Sequence, residues 1–106
     1  MQSYAAWVLL NKKLNIAEQN LAEWLAFRSR FLDKFPKLVC SHCGKKGLLK
    51  DTDDTDRLAT VDHVIPLSKG GAQFDENNCI VACFSCNNNR KNLDLDEFRK
   101  RKKKWN

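Results

Sequence analysis

Cys40-Ser41-His42-Cys43 and, separated from it by 39 residues, Cys83-Phe84-Ser85-Cys86-Asn87 are the stretches whose reading decides how this chain folds. Each begins with a C-x-x-C knuckle able to present two thiolates to a tetrahedral zinc ion, so the pair predicts a four-cysteine structural site holding one Zn2+ per chain. At 106 residues an unaided hydrophobic core gives only marginal stability, and such a site supplies what packing lacks. The separation exceeds the roughly 15–20 residues of a zinc ribbon, so a further element is inserted between the knuckles. Cys79, the odd thiol, lies in an apolar run and reads as a small core residue.

Outward from the knuckles the pattern is α+β. Ser3 to Phe35 is helical, with Trp7, Leu10, Leu14, Ala17, Leu21, Trp24, Arg28, Phe31 and Phe35 recurring at spacings of three and four. Asn15 with Glu18 looks like an internal cap, which predicts two helices joined near Leu14 and Asn15, the second ended by Pro36. The stripe either packs on its own domain or joins two copies into a coiled-coil homodimer; Arg28 interrupts it and favours the first. After a polar loop, Leu58 to Val64 reads as a strand, Ser68 to Asn78 as a loop containing Gly70 and Gly71, and Cys79 to Ala82 as a second strand. From Asn87 the chain is helical again, with Asp94 and Glu97 as a second cap. The expected organisation is one domain, with helices over 1–36, a core over 37–98 and a basic tail over 99–106.

The formal net charge is +6, and the consecutive residues Arg99, Lys100, Arg101, Lys102, Lys103 and Lys104 account for all of it. A basic run of this kind either contacts nucleic acid or is a solvated tail. The apolar run Tyr4 to Leu10 has seven residues and no basic residue before it. It is too short for a membrane span and makes a poor signal peptide. The expectation is a cytoplasmic protein without a membrane partner, whose cysteines bind metal rather than form disulfides.

Val61-Asp62-His63-Val64-Ile65-Pro66-Leu67-Ser68-Lys69-Gly70-Gly71, then Asn78, then Cys83-Phe84-Ser85-Cys86-Asn87, resembles the HNH endonuclease family. The match runs from about Cys40 to Lys91. It implies a ββα-metal (His-Me) finger, two antiparallel strands and a helix, braced by zinc on Cys40, Cys43, Cys83 and Cys86. It also implies a metal-dependent endonuclease that hydrolyses DNA phosphodiester bonds. By the same resemblance His63 is the general base and Asp62 a ligand of the catalytic cation. Asn78 braces the loop that orients the histidine, and Asn87 occupies the final motif position. That position holds Asn where the name-giving pattern has His. An amide oxygen suits a hard cation, so Mg2+ or Mn2+ is the catalytic metal implied.

These residue types make chemical sense without the family. Phosphodiester hydrolysis needs a deprotonated water, and an imidazole can take that proton at neutral pH. A cation on Asp62 and Asn87 would stabilise the departing oxygen, while Arg90 and Lys91, one turn further on, grip a neighbouring phosphate. Asp62 and His63 project to opposite faces of a strand, so both reach one site only if the chain bends there. A single site cuts one strand, which predicts nicking. His42 is given no role, since a histidine inside a knuckle is more often a surface residue or a spare ligand. Asp51, Asp53, Asp54 and Asp56 read as a solvated acidic loop. The competing function is a non-catalytic zinc-finger domain that binds nucleic acid. It would need the cysteines and the tail but would have no use for Asp62, His63, Asn78 and Asn87.

Overall fold

The computed structural model describes residues 16–105. Helix α1 (Ile16–Asp33) is followed by strands β1 (Ala59–His63) and β2 (Cys79–Cys83), then by helices α2 (Phe84–Arg90) and α3 (Leu95–Trp105). Single 3-10 turns at Leu67–Lys69 and Glu76–Asn78 punctuate the long β1–β2 connection. The fold is therefore α+β, and β1, β2 and α2 form the expected ββα unit. Trp7, Leu10, Leu14 and the expected helix junction at Asn15 lie outside the described residues, as do the side chains of Ala17, Lys102, Lys103 and Lys104. Among the described residues no helix is long and apolar enough to cross a membrane.

The buried face of α1 is rotated from the expected stripe: Ala22, Phe27, Phe31 and Leu32 are buried, whereas Leu21 and Phe35 of the stripe are 48% and 40% exposed. Phe27 and Phe31 are buried and stack on one another at 6.3 Å, and Trp24 stacks on Phe27 at 5.7 Å. Arg28 is not the interruption its charge suggested. Its Nη2 donates to the carbonyls of Lys50 at 2.6 Å and Ala59 at 2.9 Å, stitching α1 to the start of β1. These aromatics join Leu48, Ala59, Val61, Val81, Ala82 and Phe98 in one core that also contains Cys40, Cys79, Cys83 and Cys86. Burial, reinforced by the negative charges of Asp75, Asp62 and Glu76, raises the Cys79 thiol to about 11, as suits an inert core residue.

The strands pair antiparallel, with Val61 opposite Val81, Asp62 opposite Ile80 and His63 opposite Cys79. Alternation puts Thr60 and Asp62 on one face of β1 and Ala59, Val61 and His63 on the other. Helix α2 packs on the first face, where Asn87 reaches Thr60 and Arg90 reaches Asp62. Helix α1 packs on the second, where Trp24 meets His63. Helix α2 begins at Phe84, three residues before the hydrophobic pattern predicts. The cause is local: Cys83 acts as its N-cap, its sulfur accepting from the Cys86 amide at 3.4 Å.

Candidate functional site

The first knuckle is a tight turn. The Gly44 amide donates to the Cys40 carbonyl at 2.9 Å, with Gly44 at φ +76°, and the Cys43 amide lies 3.5 Å from the Cys40 sulfur. The Ser41 amide donates to the Val81 carbonyl at 2.8 Å and docks this turn on β2, beside the second knuckle. The four Sγ atoms of Cys40, Cys43, Cys83 and Cys86 consequently lie within 4.8 Å of one another. Sulfurs on a tetrahedral zinc, each at about 2.3 Å, stand about 3.8 Å apart. The Cys43 and Cys83 sulfurs are 3.9 Å apart, so this cluster can hold a metal ion such as zinc. The thiols divide electrostatically. Burial opposes ionisation of Cys40, but the amides of Cys83, Cys43 and His42 outweigh it and bring it down to about 6. Burial pushes Cys83 and Cys86 upward. A cation among them would stabilise all four as thiolates.

Asp62 is 5% exposed and bound from two sides. His42 Nε2 lies 2.7 Å from its Oδ2, and Arg90 Nη1 donates to the same oxygen at 2.8 Å. Burial disfavours the charged carboxylate, yet these two partners overcome it and hold Asp62 below the usual range, ionised at neutral pH. Asn87, on the same face, donates through Nδ2 to Thr60 Oγ1 at 3.0 Å and to the Val61 carbonyl at 3.3 Å. An ionised carboxylate and a side-chain amide are hard oxygen donors, a set that fits Mg2+ or Mn2+ better than a soft metal.

His63 lies on the opposite face, half-buried. Its Nε2 is 3.0 Å from the Gln73 carbonyl oxygen, and its ring meets Trp24 at 5.3 Å. Phe74 closes this wall, 6.5 Å from Trp24 and 5.7 Å from Phe27. Asn78 holds the intervening loop by both ends of its amide. Its Oδ1 accepts from the Ile65 amide at 2.8 Å, and its Nδ2 donates to the carbonyls of Ile65 and Ala72 at 3.1 and 3.0 Å. Gly71 is required beside it, because a Cβ there would lie 1.8 Å from the Ile65 carbonyl oxygen. The loop is thus fixed immediately before Gln73, the residue that holds His63.

Three sequence expectations change. The bend needed to bring Asp62 and His63 to one side is absent from β1: the strand stays paired through His63 opposite Cys79, and the two side chains face different helices because successive strand residues alternate. Arg90, expected to grip a phosphate, is 0% exposed. Its guanidinium is spent on Asp62 and on the carbonyls of His63, Val64 and Leu93, because burial leaves that carboxylate and those carbonyls in need of donors. Lys91 is exposed, as are Arg99, Lys100 and Arg101 on α3. Phe98, buried to 1%, anchors that helix by meeting the His42 ring edge-on at 5.0 Å. His42, read as a surface residue or a spare ligand and given no role, has a side chain that is 0% exposed. Spacing within a knuckle carries no sign of this. Trp24 and Gln73 were likewise invisible as site residues, since an aromatic in a helical stripe and a polar loop residue have many commoner uses.

A family model described as HNH endonuclease matches residues 40–93, just over half of the chain. Comparison with curated proteins and with solved structures gave no match.

Proposed function

Because the chain belongs to the HNH endonuclease family, we propose that it hydrolyses DNA phosphodiester bonds, nicking one strand per site, with a structural zinc and a catalytic Mg2+ or Mn2+. The observation that carries this reading is the bond at His63. A carbonyl oxygen only accepts, so His63 Nε2 at 3.0 Å from Gln73 must carry the hydrogen. That choice of tautomer leaves the lone pair on Nδ1, the atom able to take a proton from water. Trp24 at 5.3 Å holds the ring plane, and Asn78 holds the loop that supplies the Gln73 carbonyl. The base is therefore oriented before substrate arrives.

Asp62 and Asn87 would hold the catalytic cation. Both donors to Asp62 fall on Oδ2, which leaves the lone pairs of Oδ1 for a metal. A bound Mg2+ or Mn2+ would supply charge stabilisation for the departing 3′ oxygen. In this reading Lys91, Arg99, Lys100, Arg101, Lys102, Lys103 and Lys104 would neutralise backbone phosphates, a contact that carries affinity and no sequence information.

Two observations favour the second reading, a zinc module that binds nucleic acid without cutting it. Asp62 and His63 face opposite sides of β1. The charge of Asp62 is already matched by Arg90 at 2.8 Å, which is also what a purely structural ion pair would show. Supercoiled plasmid with Mg2+ separates the two. The nuclease reading expects conversion to nicked circles, slowed roughly 10²- to 10⁴-fold by His63→Ala in a variant that still folds, holds zinc and binds DNA. Binding without nicking by the wild-type chain would establish the second reading instead. Equal nicking by wild type and His63→Ala would remove His63 from the chemistry.

A further inference from the structure

This chain has two histidines, and the reaction above uses one. We infer that the other, His42, is a positioning residue for the cation-binding carboxylate of Asp62, so that the zinc knuckle orients a catalytic ligand as well as bracing the fold. This inference rests on the nuclease reading.

The neighbours of His42 in the turn, Ser41 and Cys43, are exposed, whereas its own side chain is 0% exposed. An imidazole withdrawn from water needs a compensating bond, and the one it makes is to Asp62 Oδ2 at 2.7 Å. An ionised carboxylate only accepts, so Nε2 carries the hydrogen. Nδ1 is buried with no hydrogen-bond partner among the described residues, so this single bond directs the ring. Phe98 blocks the ring from another side, edge-on at 5.0 Å. The backbone beneath it cannot drift either, because Ser41 is bonded to Val81, whose partner across the sheet is Val61, next to Asp62.

The second donor to the same oxygen has a parallel origin. Arg90 Nη1, at 2.8 Å, comes from the helix that Cys83 caps and that contains Cys86. The first knuckle and the helix that contains Cys86 therefore each supply one donor to Asp62 Oδ2, and a metal on the four cysteines would tie these two elements together. Two donors on one oxygen fix the carboxylate plane and leave Oδ1 as the ligand atom. Hydrogen-bond partners of a metal-binding carboxylate commonly set its orientation, and losing one typically costs 10- to 100-fold in metal affinity or activity.

The test uses the zinc-loaded full chain and three variants. His42→Phe keeps a ring against Phe98 and loses the donor. His42→Gln places an amide N–H where Nε2 stands, and His42→Asn stops short of it. Mn2+ affinity, read from the paramagnetic resonance of free Mn2+, is measured beside the Mn2+ concentration for half-maximal plasmid nicking. We expect Phe to weaken both roughly 10- to 100-fold and Gln to restore them to within about threefold, with zinc content and the KM for DNA unchanged. Should Phe fail to fold or to hold zinc, Gln against Asn decides, with Asn the weaker. Equal or tighter Mn2+ binding by Phe, or equality of Gln and Asn, overturns the inference and leaves the nuclease reading standing. A wild-type chain that neither binds Mn2+ nor nicks overturns both.

Discussion

Asp62 and His63 are neighbours in the chain, yet their surroundings have almost nothing in common. Asp62 faces α2 and the first knuckle, where its hydrogen bonds come from an arginine and a histidine and the side chain is 7% exposed. His63 faces α1, where Trp24 and Phe74 form an aromatic wall and a backbone carbonyl makes its hydrogen bond. One β-strand thus separates a site that keeps a carboxylate ionised from one that holds an imidazole in a fixed tautomer. The difference shows how a small fold keeps two environments side by side: alternation of the strand sends adjacent residues to opposite faces, and each face is covered by a different helix. The Asp62 face depends on ionic pairing and the His63 face on packing, so they should respond differently to perturbation.

Removing zinc is the perturbation expected to be largest. Both donors to Asp62 stem from knuckle elements, and the four cysteines lie in or against the core, so stripping the metal should unfold the chain and abolish both faces together. Elemental analysis should find one zinc per chain, and circular dichroism after chelation should show loss of helix. A fold that survives chelation intact would show that the cysteines hold the core by packing alone.

Next in size is a mutation confined to the ionic face. Asp62→Ala leaves Arg90, which is 0% exposed, without its counter-charge, and should cost roughly 3–5 kcal/mol in denaturant unfolding. His63→Ala, one residue away but half-exposed and bound to a single carbonyl, should keep most of its stability while losing activity. Similar unfolding midpoints for the two variants would erase the distinction between the faces.

The smallest effect is expected from the aromatic face. Trp24→Leu keeps an apolar contact but no longer holds the His63 ring plane, so kcat for nicking should fall roughly tenfold as the base is misplaced. The Mn2+ requirement should not change, because Asp62 and Asn87 lie across the strand. A matching shift in metal requirement would mean that the two faces communicate.

Much of this was legible from residue order. The two C-x-x-C turns predicted a four-sulfur cluster, because two ligands per turn need only one docking event to converge. The pattern from Val61 to Asn87 predicted ββα, and the amide of Asn78 bonds Ile65 and Ala72 beside Gly71. Spacing could not reveal which polar side chains would be buried together. Arg90 looked like a surface cation one turn past Asn87, and His42 like a spare residue in a turn. Both became interior when the knuckles docked, since each then lay within 2.8 Å of the same carboxylate oxygen. Trp24 comes from a helix outside the matched residues 40–93 and meets His63 because Phe27 and Phe31 dock that helix on the core and Arg28 bonds it to Ala59.

The sequence by itself determined the local elements and the chemical types: where thiols pair, where a strand alternates, which residues can carry a proton or a hard cation. These depend on near neighbours and on side-chain identity. The tertiary structure alone decided the pairing of Asp62 with His42 and Arg90, the tautomer of His63 and the wall behind it. Those follow from which distant carbonyls, rings and charges are left without water once the core closes, a condition set by the docking of whole elements and written at no single position in the chain.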